Sequence, residues 1–272
     1  MSFIVSKPLL GKRILITRPA SQGAATAEMV KRLGGHPIEL PTIVITEPPD
    51  PAQVAGTVCK LAEYDLVAFT SENAVTCFFA EIEAQGHDVG VFRQTRIGAI
   101  GSGTAAALAN KGLCADIVPH EFVGEAFGQA ILEDPMIQAL RSHRCPRVLI
   151  LRALVAREIL PEILRNAGCI VDIVPVYETR LAPMARRIEL ISRLEAQTID
   201  CVMLTSSSSV KGLVELLGSR SIELLHNLLV ASIGPITTAS AEKHGLCVGV
   251  TSDESTVEAL LSTIGLHFTK DV

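Results

Sequence analysis

The stretch Arg13-Ile-Leu-Ile-Thr-Arg18 is matched 134 residues later by Arg147-Val-Leu-Ile-Leu-Arg152. Two further blocks repeat in the same order: Asp65-Leu-Val-Ala-Phe-Thr-Ser71 matches Asp200-Cys-Val-Met-Leu-Thr-Ser206, and Ala99-Ile-Gly101 matches Ser232-Ile-Gly234. Their offsets are 135 and 133 residues, so all three agree within two residues. One short match is weak evidence, but three matches in order indicate the duplication of a segment of about a hundred residues.

Each repeated block has the pattern of a buried strand followed by a helix. The apolar runs are short, continuous and rich in Val and Ile, which is typical of parallel strands buried on both faces. Helical stretches follow at 24–33 and 159–167, and Thr104 and Thr237 open two more, which Gly112 and Gly245 close as helix C′ residues. Strands that alternate with helices predict a mainly parallel sheet, so the duplication predicts two similar α/β domains.

The composition excludes several classes of protein. The chain has 272 residues, of which 48% are hydrophobic and 19% charged, and a formal net charge of −5. These values rule out a disordered chain and lack the basic footprint of a nucleic-acid-binding protein. The sequence has no run of 18 apolar residues, no secretory signal pattern and no CxxC pair among its seven cysteines. We therefore expect a cytoplasmic protein with reduced thiols and with no nucleic-acid or membrane partner.

Ligands of open parallel sheets bind beyond the carboxyl ends of the strands. In this sequence those positions carry hydroxyls, arginines, glycines and helix N-termini, which bind anions through O–H and free N–H groups. The candidates are Arg18, Ser71, Gly101, Thr104, Arg152, Ser206, Ser207, Gly234 and Thr238. The hydroxyl residues could equally be plain helix caps, and the two arginines could equally be solvated surface charges.

The sequence contains no GxGxxG, P-loop, HExxH or GxSxG motif, and its seven histidines are dispersed without ligand spacing. We therefore expect no metal ion and no organic cofactor. An enzyme built in this way would act by acid–base chemistry and by orienting its ligand.

The order and spacing of six motifs resemble the uroporphyrinogen-III synthase family. The motifs are ILITRP at 14–19, AFTSENAV at 68–75, AIGSGTAAAL at 99–108, VPVYET at 174–179, LTSSSSV at 204–210 and SIGPITTASA at 232–241. The resemblance extends from about Gly11 to Leu261. It implies an enzyme of haem biosynthesis that cyclises hydroxymethylbilane to uroporphyrinogen III, with inversion of ring D and loss of water. It implies no cofactor.

The resemblance also implies a domain layout. One flavodoxin-like α/β domain would comprise residues 1–40 and 180–272, and the other would comprise residues 46–172. The stretches 38–47 and 173–183 would form a two-stranded antiparallel linker, with the linear tetrapyrrole and its carboxylates held in a cleft between the domains. The repeats alone would instead place the boundary near 134–146.

Two residues have catalytic roles implied by the resemblance. Tyr177 matches a family tyrosine and is the candidate proton donor to the departing hydroxyl, and Thr237 matches the threonine of the GPxT motif. Asn73, in the second motif, joins the substrate-binding candidates. Ala153-Leu-Val-Ala156 departs from the glycine-rich turn of many family members, which leaves backbone contacts there in doubt. The expected protein is a monomer whose partner is its small-molecule substrate, transferred from the enzyme that makes hydroxymethylbilane.

Two other functions stay open at this point. A two-lobed solute-binding protein shares the architecture, but the unpaired cysteines and the missing signal pattern count against it. A synthase-like domain that has lost catalysis could serve in regulation or binding. The presence of Tyr177 and Thr237 favours the active enzyme.

Overall fold

The structure is a computed structural model and describes residues 7–270. It divides after Val44 and after Thr179. Ile45–Thr179 forms one compact unit, here called the central unit, and the chain on either side of it forms the other, here called the terminal unit.

The elements alternate between strands and helices along most of the chain. The strands are β1 (Arg13–Ile16), β2 (His36–Glu39), β3 (Ile43–Thr46), β4 (Leu66–Phe69), β5 (Arg96–Ala99), β6 (Arg147–Ala153), β7 (Ile170–Leu181), β8 (Cys201–Leu204), β9 (Leu229–Ser232) and β10 (Val250–Thr251). The helices are α1 (Ala20–Arg32), α2 (Pro51–Val58), α3 (Glu72–Ala84), α4 (Ser102–Asn110), α5 (Gly124–Glu133), α6 (Pro135–Arg141), α7 (Ile159–Asn166), α8 (Met184–Glu195), α9 (Ser207–Leu217), α10 (Ser221–Leu225), α11 (Pro235–Lys243) and α12 (Val257–Lys270). Short 3₁₀ turns lie at Leu61–Glu63, Val89–Phe92 and Gly218–Arg220.

The sheet of the terminal unit has the order β10-β9-β8-β1-β2, and its neighbouring strands are parallel. Numbered along the chain within this unit, the order is 2-1-3-4-5, which is the flavodoxin-like arrangement. Leu15 and Val202 pack into a core on one face of the sheet, whereas Ile14 and Met203 pack on the other face. The strands are therefore buried on both faces, which explains why their sequences are continuous apolar runs.

The sheet of the central unit has the order β3-β7-β6-β4-β5. Strands β7, β6, β4 and β5 are parallel and repeat the order of β2, β1, β8 and β9. Corresponding strands of the two units begin at equivalent positions of the repeats: β1 begins at Arg13 and β6 begins at Arg147. A bridge between Gly98 and Ile117 takes the place of the β9–β10 pairing. The structure thus confirms the duplication and the prediction of two similar α/β domains.

The two repeats exchange halves between the units. In the terminal unit, β1 and β2 from the first repeat pair in one sheet with β8 and β9 from the second repeat. In the central unit, β4 and β5 from the first repeat pair in one sheet with β6 and β7 from the second. Each sheet therefore combines strands that are distant in sequence.

The chain crosses between the units within β3 and β7, which adjoin each other in the sheet. The Thr46 hydroxyl donates to the carbonyl of Glu178 at 3.3 Å, and the N–H of Ala182 donates to the carbonyl of Thr42 at 3.0 Å. Residue numbers fall along one strand as they rise along the other, so the two strands are antiparallel. Both division points lie inside the stretches 38–47 and 173–183.

Three predicted helix starts differ from the structure. Helix α1 begins at Ala20 rather than at residue 24, because its first turn contains no large apolar side chain and so lacks the apolar periodicity used to predict it. Helices α4 and α11 begin at Ser102 and Pro235, so Thr104 and Thr237 are the third residues of these helices. The predicted C′ glycines are confirmed, since Gly112 and Gly245 have φ values of 79° and 78°.

Candidate active site

The carboxyl end of β4 leads directly into α3 through Ser71. The backbone of Ser71 is extended, and its Oγ accepts the N–H of Ala74 at 3.0 Å, so Ser71 is the N-cap of α3. Phe69, the last residue of β4, is fully buried and anchors this junction in the core. The helix-cap interpretation is therefore confirmed for Ser71, which leaves open whether its hydroxyl has a second role.

Tyr177, on β7, contacts Ser71 at the same edge of the central sheet. Its hydroxyl oxygen lies 3.0 Å from Ser71 Oγ, and the residue is only 6% exposed. An irregularity of the β6–β7 pairing between Arg152 and Ala153 sets Tyr177 opposite Ala153, and such bulges commonly re-aim side chains beside active sites. Burial raises the pKa of Tyr177, whereas hydrogen bonds with Ser71 and Asn73 oppose this rise. The phenol is therefore protonated at neutral pH and is chemically able to donate a proton.

The N-terminus of α4 lies at the end of β5 in the same unit. Gly101 is its N-cap, and a Cβ at this position would lie 2.7 Å from the Phe122 ring. The glycine is thus required for close approach rather than for its dihedral angles. Thr104, one turn further along, is 4% exposed, and within residues 7–270 its hydroxyl has no hydrogen-bond partner, although it is not fully buried. Free N–H groups and this hydroxyl form a polar edge suited to a carboxylate.

Arg152, at the end of β6, is 8% exposed and is not a solvated surface charge. Its Nη2 donates to Glu158 Oε1 at 2.5 Å and its Nη1 donates to the carbonyl of Arg157 at 3.3 Å, while its Nε is buried without a partner among the residues that the structure describes. The Glu158 side chain is half exposed. An internal carboxylate therefore occupies one side of a nearly buried guanidinium, and rotation of that carboxylate would open it to another anion.

Ser206 in the terminal unit has the same cap geometry as Ser71. Its Oγ accepts the N–H of Ser209 at 3.0 Å, and Ser209 Oγ accepts the N–H of Ser206 at 3.1 Å. This reciprocal pair is a capping box at the start of α9. Ser207 is the first residue of the helix and is partly buried. The counterpart of Tyr177 in the duplication is Ile43, so no phenol belongs to this cap.

The N-terminus of α11 begins with Gly234, where a Cβ would lie 2.7 Å from Ser255 Oγ. Thr237 is 5% exposed, and its hydroxyl, like that of Thr104, has no hydrogen-bond partner within residues 7–270. Thr238 differs, because its Oγ1 contacts Ser232 Oγ at 2.5 Å and Thr251 Oγ1 at 2.7 Å. The Thr238 hydroxyl is therefore committed to an internal network, whereas that of Thr237 is available to a ligand.

The predicted site residues divide between the two units. Ser71, Asn73, Gly101, Thr104, Arg152 and Tyr177 belong to the central unit, and Arg18, Ser206, Ser207, Gly234, Thr237 and Thr238 belong to the terminal unit. Arg18 donates to Gln22 Oε1 through Nε at 3.2 Å and Nη2 at 3.0 Å. Sequence reasoning missed Glu158 and Phe122, which lie in connecting segments and carry no motif.

A cavity of about 710 Å³ lies at the opposite edge of the terminal sheet, where Arg13, Asp200 and Leu229 begin or precede their strands. The predicted site residues do not line it. Among residues 7–270 there is no group of three His, Cys, Asp or Glu side chains that could hold a metal ion. In the same part of the chain, the helices are too short or too polar to cross a membrane.

Comparison with known proteins identifies the family. The family model described as Uroporphyrinogen-III synthase HemD matches residues 24–262. A putative uroporphyrinogen-III synthase from Methanothermobacter thermautotrophicus is 31% identical over 265 residues, which cover 94% of this chain and 99% of that protein. The chain belongs to the uroporphyrinogen-III synthase family. This family acts in porphyrin biosynthesis, and its members are enzymes.

Two further similarities bear on the length and fold of this synthase family member. The porphyrin biosynthesis protein HemD of Ruminiclostridium josui is 29% identical over 264 residues, and this chain spans only 50% of its length. A crystal structure of a mutant uroporphyrinogen III synthase from the extremely thermophilic bacterium Thermus thermophilus matches with a TM-score of 0.64 and 17% identity. That match covers 96% of this chain and 100% of the other, and it supports the fold.

Proposed function

We propose that this chain cyclises hydroxymethylbilane to uroporphyrinogen III, with inversion of ring D and loss of water, in haem biosynthesis. The observation that carries the proposal is the buried Tyr177 hydroxyl, 3.0 Å from Ser71 Oγ at the carboxyl edge of the central sheet. The resemblance of the VPVYET motif implies that this phenol is the family's tyrosine, in a chain that belongs to the family.

Tyr177 is the proposed acid for loss of the terminal hydroxyl. As the C–O bond breaks, the oxygen takes the bonding pair and the phenolic proton and leaves as water. Electron density from the pyrrole nitrogen stabilises the resulting azafulvene, and the substituted α-carbon of ring D attacks its methylene carbon to give a spiro intermediate. The bond from that α-carbon to the bridge from ring C then breaks and leaves a second azafulvene. The free α-carbon of ring D attacks this azafulvene, which inverts the ring and closes the macrocycle. Ring closure releases one proton, which restores the phenol, so the reaction needs no oxidant or reductant. Because the hydroxyl leaves readily, orientation of the two substrate ends supplies much of the effect.

Thr237 is the second proposed catalytic residue, and Thr104 has the equivalent place in the central unit. Within residues 7–270 both hydroxyls lack an internal partner, which suits them to a ligand that carries several carboxylates. The proposed substrate contacts are Arg18, Asn73, Gly101, Thr104, Arg152, Ser206, Ser207 and Gly234. Arg152 would donate to a substrate carboxylate in place of Glu158. One charge-assisted hydrogen bond would then replace another, so the guanidinium would remain paired.

We also propose that the two units are the two domains of the enzyme, linked by the stretches 38–47 and 173–183. The protein would act as a cytoplasmic monomer that receives hydroxymethylbilane by transient transfer from the enzyme that makes it. Seven cysteines without a CxxC pair support a reducing compartment. Size-exclusion chromatography with light scattering, at rising protein concentration, tests the monomer.

The function is tested by scoring which uroporphyrin isomer forms. Hydroxymethylbilane in water closes without inversion to the I isomer, so the active protein must divert product to the III isomer. Tyr177→Phe removes one O–H and should lower the rate of III formation by about 10–100-fold, near or below the lower end for positioned proton transfer.

Tyr64→Phe is the matched control, since the chain has two tyrosines. Tyr64 is also buried, and its hydroxyl bonds Asp172 at the amino end of β4, away from Ser71. We expect Tyr64→Phe to keep the rate of III formation. A wild-type protein that yields only the I isomer contradicts the proposed function. Full activity in Tyr177→Phe contradicts the role of Tyr177 as the acid.

A further inference from the structure

The contact between Ser71 and Tyr177 limits where the protons of the two hydroxyls can lie. Ser71 Oγ has two polar neighbours among residues 7–270, the N–H of Ala74 and the hydroxyl of Tyr177, each at 3.0 Å. A serine hydroxyl has one proton and two acceptor lone pairs. The Ala74 N–H takes one lone pair, so within this part of the chain the only acceptor for the Ser71 proton is Tyr177 Oη.

Either oxygen could donate in this contact, and the two directions leave different protons free. If Tyr177 donated to Ser71, the phenolic proton would be held inside the protein and the Ser71 proton would lack an acceptor among the described residues. If Ser71 donates to Tyr177, the Ser71 proton has an acceptor and the phenolic proton is free to point toward a ligand. Asn73 lies in the same first turn of α3, and a hydrogen bond from its side chain lowers the pKa of Tyr177.

We propose that Ser71 is a positioning residue that holds the Tyr177 oxygen and turns its proton toward the substrate, rather than a substrate ligand. The inference rests on the proposed function and changes the role that we expected for Ser71. Ser71 Oγ is taken up by the helix cap and the phenol, which leaves it no proton for a substrate carboxylate. The N-terminus of α3 thus acts on the substrate through Tyr177.

The electrostatics of the contact agree with this role. Burial raises the pKa of Tyr177, and the nearby Cys77 raises it as well, whereas Ser71 and Asn73 lower it. The pKa of the Cys77 thiol is itself raised by burial, so this group is neutral at physiological pH. Two donors to the phenolic oxygen stabilise the phenolate that remains after proton transfer.

The duplication supplies a matched control. Ser206 caps α9 as Ser71 caps α3, with φ values of −167° and −170° and a 3.0 Å bond to the third helical N–H in each case. The residue that corresponds to Tyr177 is Ile43, so Ser206 has the cap without the phenol. A comparison of the two serines separates loss of a cap from loss of the bond to Tyr177.

The test uses Ser71→Ala, Ser71→Gly and Ser206→Ala, each in wild-type and Tyr64→Phe backgrounds. Tyr177 is the only tyrosine in the Tyr64→Phe background. Its alkaline titration is therefore followed directly by the absorbance of the tyrosinate at about 295 nm. Glycine is nearly as good an N-cap as serine, so Ser71→Gly removes the hydroxyl with little effect on folding. Urea midpoints, kcat and KM for III formation complete the measurements.

Both Ser71 variants should move the Tyr177 titration to higher pH and lower kcat about tenfold with little change in KM, since positioned proton transfer is impaired. Ser206→Ala should shift the urea midpoint as Ser71→Ala does and leave the Tyr177 titration unchanged. Ser71→Thr, which keeps the hydroxyl, should restore most of kcat.

An unshifted Tyr177 titration in both Ser71 variants overturns the proposal. A rise in KM without loss of kcat also overturns it, because Ser71 would then be a substrate ligand. These outcomes are distinct from failure of the proposed function: if Tyr177→Phe keeps full activity, the titration still reports whether Ser71 donates to the phenol.

Discussion

Asp200 accepts three hydrogen bonds from Arg13: from its backbone N–H at 2.7 Å, from Nε at 3.0 Å and from Nη2 at 2.7 Å. The duplication reproduces the first of these bonds, because Asp65 accepts the N–H of Arg147 at 2.8 Å. In the central unit, however, Arg144 supplies the guanidinium that pairs with Asp65. The carboxylate joins the starts of two neighbouring strands in both units.

We expect Asp200→Asn to destabilise the protein by about 1.5 kcal/mol at pH 7, the lower end for hydrogen bonds to charged groups, because the pair is partly exposed. The Arg13 guanidinium holds the pKa of Asp200 below its usual range. The pair therefore contributes its full stabilisation at pH values above about 3.9, the pKa of the aspartate in the unfolded chain. This contribution is lost as the pH falls through the lower pKa of Asp200 in the folded protein. Urea unfolding at pH 7 and in strong acid checks this.

The control is Glu28→Gln, which removes an exposed ion pair with Lys31. It should leave the urea midpoint unchanged at both pH values. If Asp200→Asn stayed equally destabilised in acid, lost packing rather than lost charge would be the cause.

Thr237→Val and Thr104→Val should keep stability and lose activity. Neither hydroxyl has an internal partner within residues 7–270, so its removal breaks no hydrogen bond in this part of the folded protein. A lost bond to a substrate carboxylate corresponds to a fall of about tenfold or more in kcat/KM. Kinetics and thermal unfolding of the two variants check this.

Thr238→Val provides the contrast, since it breaks the contacts with Ser232 and Thr251. We expect it to destabilise the protein by about 1 kcal/mol. Unchanged kcat/KM in Thr237→Val would remove this residue from the proposed site.

Glu158→Gln should lower KM about two- to fivefold with kcat unchanged, because a neutral amide competes less well than a carboxylate for Arg152. Since the Glu158 side chain is half exposed, we expect its bond to Arg152 to contribute only about 0.5–1 kcal/mol. Arg152→Lys should raise KM about tenfold through loss of the planar fork. Steady-state kinetics at constant ionic strength measures both.

Glu125→Gln is the control, because Glu125 pairs with Arg157 and is exposed to the same degree as Glu158. Its KM should match the wild type. A rise in KM for Glu158→Gln would mean that Glu158 holds Arg152 in place rather than competing with the substrate.

Gly101→Ala should destabilise the protein by about 1–3 kcal/mol and reduce activity, since the new Cβ would lie 2.7 Å from Phe122. Phe122→Leu in the same chain should recover part of both losses. Gly56→Ala, where a Cβ would meet nothing within 4 Å, should instead be neutral or stabilising. Thermal unfolding of the single and double variants measures this. If Phe122→Leu does not rescue Gly101→Ala, the clash with Phe122 is not the cause of the loss.

The fold class was predictable from the sequence because the repeated strands are buried on both faces and therefore stand out as apolar runs, as with Val148 and Val202. The start of α1 was not predictable, since its first turn contains no large apolar side chain. Ser71 and Arg152 were found from their places at the ends of strands, and Tyr177 was found from the resemblance to the family. Their partners were not all found, because Glu158 and the role of Ser71 depend on side-chain geometry that no sequence period encodes. The predicted cleft stays a prediction.

The exchange of halves between the repeats has a consequence for the order of synthesis. β1 and β2 leave the ribosome before the central unit does, yet β8, the neighbour that covers the other edge of β1, begins only at Cys201. About 160 residues must be added in between, which takes about 8–30 s at typical translation rates. The central unit, which is contiguous, can complete its sheet first. An apolar strand edge of the nascent chain therefore waits for a partner, and this interval is where chaperones would engage the protein.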